Sequence, residues 1–114
     1  MYIGALKPGS NRATYTETFQ LYDDEDSEGI DLTAATIVLE IRKPGSSSAN
    51  LSATNDDGIE ITDSAEGQFE LTFTVDQMRG LDPMTYECGI TIEQNDETTQ
   101  YFIGTLAVLD GIVT

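Results

Sequence analysis

The chain predicts an all-β fold, an antiparallel immunoglobulin-like β-sandwich of about seven strands with at most one short helical turn. Three observations carry this. Short segments alternate apolar and polar residues with period two, clusters of Gly, Pro, Asn and Asp interrupt them at short intervals, and no long stretch repeats apolar residues at helical spacing. A small barrel is the alternative closure for the same strands. At 114 residues and 39% hydrophobic content, the chain holds enough apolar material for one core but not for two independent ones. The expected organisation is an N-terminal arm over residues 1–13 and one sandwich domain over residues 14–114.

The arm contains Lys7-Pro8-Gly9-Ser10-Asn11, rich in turn formers and weakly periodic. From Thr14 to Tyr22, Tyr15, Phe19 and Leu21 share one face and the threonines the other, with Glu17 as the exception. An acidic run from Asp23 to Glu28 ends that strand at Gly29. Thr36 to Arg42 forms the next, with Ile37, Leu39 and Ile41 alternating with Val38, Glu40 and Arg42. Lys43-Pro44-Gly45 stops the ladder, and short strands follow near residues 50–53 and 59–62. Phe69, Leu71, Phe73 and Val75 then make the cleanest alternation in the chain. Asp76 is positioned to cap one helical turn through Gly80, ended by Asp82-Pro83. Tyr86, Cys88, Ile90 and Ile92 form an inward set, and with the strand over residues 100–110 they read as a hairpin around Asn95-Asp96-Glu97. Tyr86, shortly after Pro83, stands where a sandwich tyrosine packs its ring and donates to backbone at a corner.

Twenty-one Asp and Glu against five Lys and Arg leave a formal charge of -16, which repels polyanions. Nucleic acid and anionic membranes are therefore not expected partners. Residues 1–10 have neither a basic start nor a long apolar run, so neither a signal peptide nor a membrane span is expected there, and synthesis in a cytoplasm is. Cys88 is the single cysteine and the chain has no His; an internal disulfide and the usual general base are both missing. Paired carboxylates can drive glycoside hydrolysis, but that chemistry also asks for a cleft, stacking aromatics and a carboxyl kept neutral by burial. Trp is absent and most acids fall in turns, so no catalytic residues are assigned and no enzyme is expected.

The acidic loop is the metal candidate. Asp24, Asp26 and Glu28 with Gly29 match the first half of a calcium-loop pattern, but Ala35 stands where the bidentate glutamate belongs. A looser calcium site between Asp23, Asp26 and Asp31, with a neighbouring loop such as Asp56-Asp57 as a further contributor, is the remaining metal reading, set against a solvated turn. Otherwise no cofactor is expected. Glu40, Glu70 and Arg42 read as outward residues available for cross-strand pairing. Tyr2, Ile3 and Leu6 near the start and Ile112 and Val113 at the end are apolar residues that a small sandwich need not cover, and so are interface candidates. The competing role is to complete the sheets.

Taken together, Thr18-Phe19, Gly29 to Thr36, Ile41-Arg42, Gly58-Ile59, Gly67-Gln68-Phe69, Leu81 to Tyr86 and Gly104 to Val108 give the chain a pattern that resembles small virion proteins of tailed bacteriophages. Their immunoglobulin-like domain is similar to the N-terminal domain of phage baseplate upper proteins. Ala34 replaces the glycine usual after Asp-Leu-Thr, and Tyr86-Glu87-Cys88-Gly89 replaces a more typical Tyr-x-Tyr-Asp. The resemblance implies a non-enzymatic structural protein of the virion, docking other virion proteins in the tail or baseplate in symmetric, multi-copy assembly. The alternatives are a capsid decoration protein on the phage head and a calcium- or glycan-binding adhesion module.

Overall fold

A computed structural model describes residues 2–21 and 29–111. Among the described residues nine strands and one helix follow in order: β1 (Tyr2–Ala5), β2 (Gly9–Ser10), β3 (Tyr15–Gln20), β4 (Thr36–Arg42), β5 (Leu51–Asn55), β6 (Gly58–Asp63), β7 (Gln68–Phe73), α1 (Val75–Arg79), β8 (Met84–Gln94) and β9 (Glu97–Leu109). They form one sheet in the order β1-β9-β8-β4-β5-β6-β7-β3, with β2 also on β9. The fold is all-β, as the alternation predicts. The sheet, however, is mixed and continuous, curled into a half-barrel, where two wholly antiparallel layers were expected. Two causes are visible. The segment over residues 2–10 runs parallel to β9, pairing Tyr2 with Phe102 and Gly9 with Val108. At the other bend, β5 and β6 meet through only Thr54↔Gly58 and Asn55↔Ile59, a corner that carries the sheet around the core.

Period-two burial explains why these segments are strands. In β4, Ile37, Leu39 and Ile41 are each 0% exposed, while Val38, Glu40 and Arg42 lie on the other face. Each such aliphatic burial contributes about 1.5–3 kcal/mol relative to exposure. Phe69, Leu71 and Phe73 of β7 join Tyr86, Cys88 and Ile90 of β8 in the same core, and Leu6 completes it from the N-terminal segment. No polar or charged residue is fully buried among the described residues.

The helix is capped two residues earlier than the sequence implies. Thr74 is its cap: Thr74 Oγ1 accepts from the Gln77 backbone N–H at 3.2 Å, and Gln77 Oε1 accepts from the Thr74 N–H at 2.9 Å. This reciprocal box outcompetes Asp76, which instead pairs with Arg79 at 3.1 Å. Tyr86 takes the corner role, its ring fully buried and its hydroxyl donating to the Asp82 carbonyl at 2.9 Å. Asn95 and Asp96, both at positive φ, close the β8–β9 hairpin as a two-residue turn.

Candidate functional site

Of the residues singled out for metal or interface roles, Tyr2, Ile3, Leu6 and Asp31 are among the described residues. Asp24, Asp26, Glu28, Ile112 and Val113 lie outside the described residues. Asp31 belongs to a local turn: its Oδ1 accepts from the Thr33 N–H at 2.9 Å and from Thr33 Oγ1 at 2.6 Å. Those bonds, the hydroxyl's first, hold its carboxyl below the usual carboxylate range. The neighbouring Leu32 is 1% exposed and plugs the core, and Gln94 Nε2 donates to the carbonyls of Asp31 and Thr33. The Asp-Leu-Thr signature is thus a structural clamp. Ala34 follows it at φ 60, in the left-handed region, which supplies a physical reason for a glycine at that place.

Tyr2 and Ile3 lie in β1, opposite Phe102 and Ile103. Leu6 is 8% exposed, so its apolar surface is covered within the chain itself. The stem of the acidic loop is pinned, with the Leu21 N–H donating to Gly67 O and the Ile30 N–H donating to Leu21 O. Gly67, at φ 71, has no room for a side chain there: a Cβ would stand 2.6 Å from Leu21 O. Among the described residues no group of three or more His, Cys, Asp or Glu is arranged to hold a metal ion.

Two depressions lie on the outer faces. One, about 380 Å³, sits over β6 and β7 between Asp56, Glu60, Glu70 and Thr72. Glu60 and Glu70 are directly opposite in register, a like-charge pair with no cation paired to either among the described residues. The other, about 360 Å³, lies on the outer face of β4, β8 and β9. Its floor is Gly89, flanked in register by Glu40 on β4 and Ile103 on β9. Glu87 and Thr91 continue the same face of β8, and Val38 pairs with Thr91. Glu40 is bound to Arg42 at 2.6 Å, and Ile103 is 48% exposed, an unusual value for a large apolar residue in mid-strand.

Sequence reasoning missed this second depression. The signal was present in Gly89 at an outward position between Glu87 and Thr91. Ile103 was concealed by a bulge, since the register steps from Ile90↔Phe102 to Thr91↔Gln100 and the inward set changes parity across Tyr101. Gln100 Nε2 serves that irregularity, donating to the carbonyls of Ile90 and Phe102 at 3.1 and 2.8 Å. Chemically, the surface offers carboxylates, a guanidinium and apolar side chains around a shallow floor. Cys88, beneath it, is 3% exposed, and burial pushes its thiol up to about 12; that thiol is no nucleophile at neutral pH.

Compared with known proteins, the chain matches no family model and no curated protein.

Proposed function

We propose that this chain is a non-enzymatic structural protein of a tailed-phage virion, an immunoglobulin-like docking module for other virion proteins in the tail or baseplate. The observation that carries the reading is the use made of the motif residues behind the resemblance. Asp31 and Thr33 close a turn, Leu32 enters the core, Gly67 admits a crossing of three backbone segments and Tyr86 makes a backbone-anchored corner. All are architectural, as a docking scaffold requires.

The immunoglobulin-like assignment draws on connectivity. β4, β8 and β9 neighbour one another, as do β3, β7 and β6, and the chain passes from one group to the other at the β5–β6 corner. Those neighbours resemble the strand order within the two layers of an immunoglobulin domain, with β5 beside the first group and the N-terminal strands beside β9, and this supports the reading. Tyr86 stands two residues before the inward Cys88, the spacing of the tyrosine corner and the inter-layer cysteine in that fold. A tail or baseplate position also accounts for the charge: at -16, burial against partners and screening relieve self-repulsion.

Density-gradient purification of particles followed by mass spectrometry tests the proposal. The chain is expected to co-sediment with the major virion proteins at constant stoichiometry through repeated banding. Recovery only in the soluble fraction of the lysate would refute it.

A further inference from the structure

The depression over Gly89 has a floor of strand backbone with the Gln100 amide lying beside it. A glycine inside a strand costs roughly 0.5–1 kcal/mol against alanine and commonly marks a place that something else approaches closely. At Gly104 the requirement is internal, since a Cβ would strike the Gly4 carbonyl and the Phe102 ring. At Gly67 it is a positive φ beside three backbone atoms. At Gly89 the constraint is milder: its φ is not positive, but a Cβ would crowd Gln100 Nε2 at 3.3 Å, an amide held on the Ile90 and Phe102 carbonyls, and would stand 3.8 Å from Phe102 O. The missing side chain leaves a low floor shared by Gly89 and the Gln100 amide.

The walls indicate what fits. Val38 and Ile103 offer apolar surface on opposite sides of the floor, and Glu40 and Glu87 place carboxylates at the Arg42 end. Arg42 binds Glu40 at 2.6 Å and lies opposite Glu87 in register, but among the described residues no cation pairs with Glu87. The rim therefore carries two carboxylates against one guanidinium. A chain of charge -16 also repels acidic visitors and attracts basic ones.

We propose that the depression over Gly89 receives one cationic side chain, arginine or lysine, from a basic segment of a partner protein. The aliphatic stem lies over Gly89 between Val38 and Ile103, and the charged head meets Glu87 and the Glu40 carboxylate, sharing the latter with Arg42. Long cationic residues suit such a place, because the stem covers apolar surface while the head stays in reach of water and carboxylate. This inference rests on the docking reading and names the chemistry of the partner.

The test is a titration of the ¹⁵N-labelled chain with N-acetyl-arginine amide, following backbone amide shifts, with N-acetyl-citrulline amide as the uncharged control of similar shape. Saturable shifts are expected at Val38, Glu40, Glu87, Gly89 and Ile103, with a dissociation constant on the order of millimolar, and no saturation with the citrulline compound. Glu87→Gln is expected to weaken the arginine response by about threefold to fivefold, the scale of one exposed ion pair. Gly89→Val, which fills the floor, is expected to abolish it; the same spectra report whether that variant remains folded, and Glu87→Gln carries the test if it does not. Shifts spread evenly over the acidic turns, an equal response to citrulline, or an arginine response untouched by Glu87→Gln would overturn the proposal. Particle incorporation is read separately, so a chain found in virions with an inert depression would sink this inference alone. A responsive depression on a chain absent from virions would sink the virion reading instead.

Discussion

Replacing Ala34 by glycine is expected to stabilise the protein, against the usual direction for that substitution. Ala34 sits at φ 60 in the exposed turn between Thr33 and Ala35, just after the Asp31 clamp. An L-residue in the left-handed region carries a steric cost of roughly 1–2 kcal/mol, which glycine does not. Glycine in turn makes the unfolded chain more disordered, at a cost of about 0.5–1 kcal/mol. The exposed methyl contributes little packing. The balance is a gain of about 0.5–1 kcal/mol, which for a domain of this size raises the melting temperature by roughly 2–5 °C. Urea unfolding followed by circular dichroism measures it, with Ala65→Gly as the control, because Ala65 is an exposed turn residue without positive φ. The control is expected to lose a few tenths of a kcal/mol. If Ala34→Gly loses stability in step with Ala65→Gly, the turn is not held in the left-handed conformation and the account of the Asp-Leu-Thr-Ala signature fails.

Other consequences are equally open to measurement. Gly67→Ala places a methyl against Leu21 O and Ile30 O at positive φ; a loss of at least about 2 kcal/mol in urea unfolding is expected, and a neutral result would contradict the crossing. Tyr86→Phe removes the donor to the Asp82 carbonyl while keeping the ring, and is expected to cost about 0.5–1.5 kcal/mol by thermal melting. Glu60→Lys converts the like-charge pair with Glu70 into an opposite one and is expected to add a few tenths to 1 kcal/mol, less at high salt. For Cys88, whose folded-state thiol is raised from 9.0 to about 12 by burial, the neutral form is the one the fold favours. Its contribution is therefore complete below pH 9 and is lost as pH climbs from 9 towards 12, by up to about 1.4 kcal/mol per pH unit. Cys88→Ala, whatever it costs at neutral pH, is expected to show a shallower alkaline decline in melting temperature than the parent.

Much of the layout was legible because strands advertise themselves through alternation. Ile37, Leu39 and Ile41, or Phe69, Leu71 and Phe73, occupy one face under any pairing. The Tyr86 corner was legible for a related reason: a tyrosine following Asp82-Pro83 at a strand start has few uses. Direction and curl were not legible. Nothing in residues 2–10 tells a parallel partner from an antiparallel one. The turn at Asn55 to Gly58 is written locally, with Asp56 and Gly58 at positive φ, but the parallel meeting of β5 and β6 there is not. The helix cap was misassigned to Asp76 because the competing box, Thr74 with Gln77, begins at the residue just after β7. The candidate site stayed concealed for a third reason. A one-residue bulge at Tyr101 reverses the alternation of β9, so that Ile103 faces outward beside Gly89.

Electron cryomicroscopy of intact particles tests the central claim most directly, since it reads location, copy number and contact face together. The account predicts density for this domain at symmetry-related positions of the tail or baseplate, with the outer face of β4, β8 and β9 turned toward a neighbouring subunit. Particles that band intact, carry infectivity and contain no copy of the domain would contradict it.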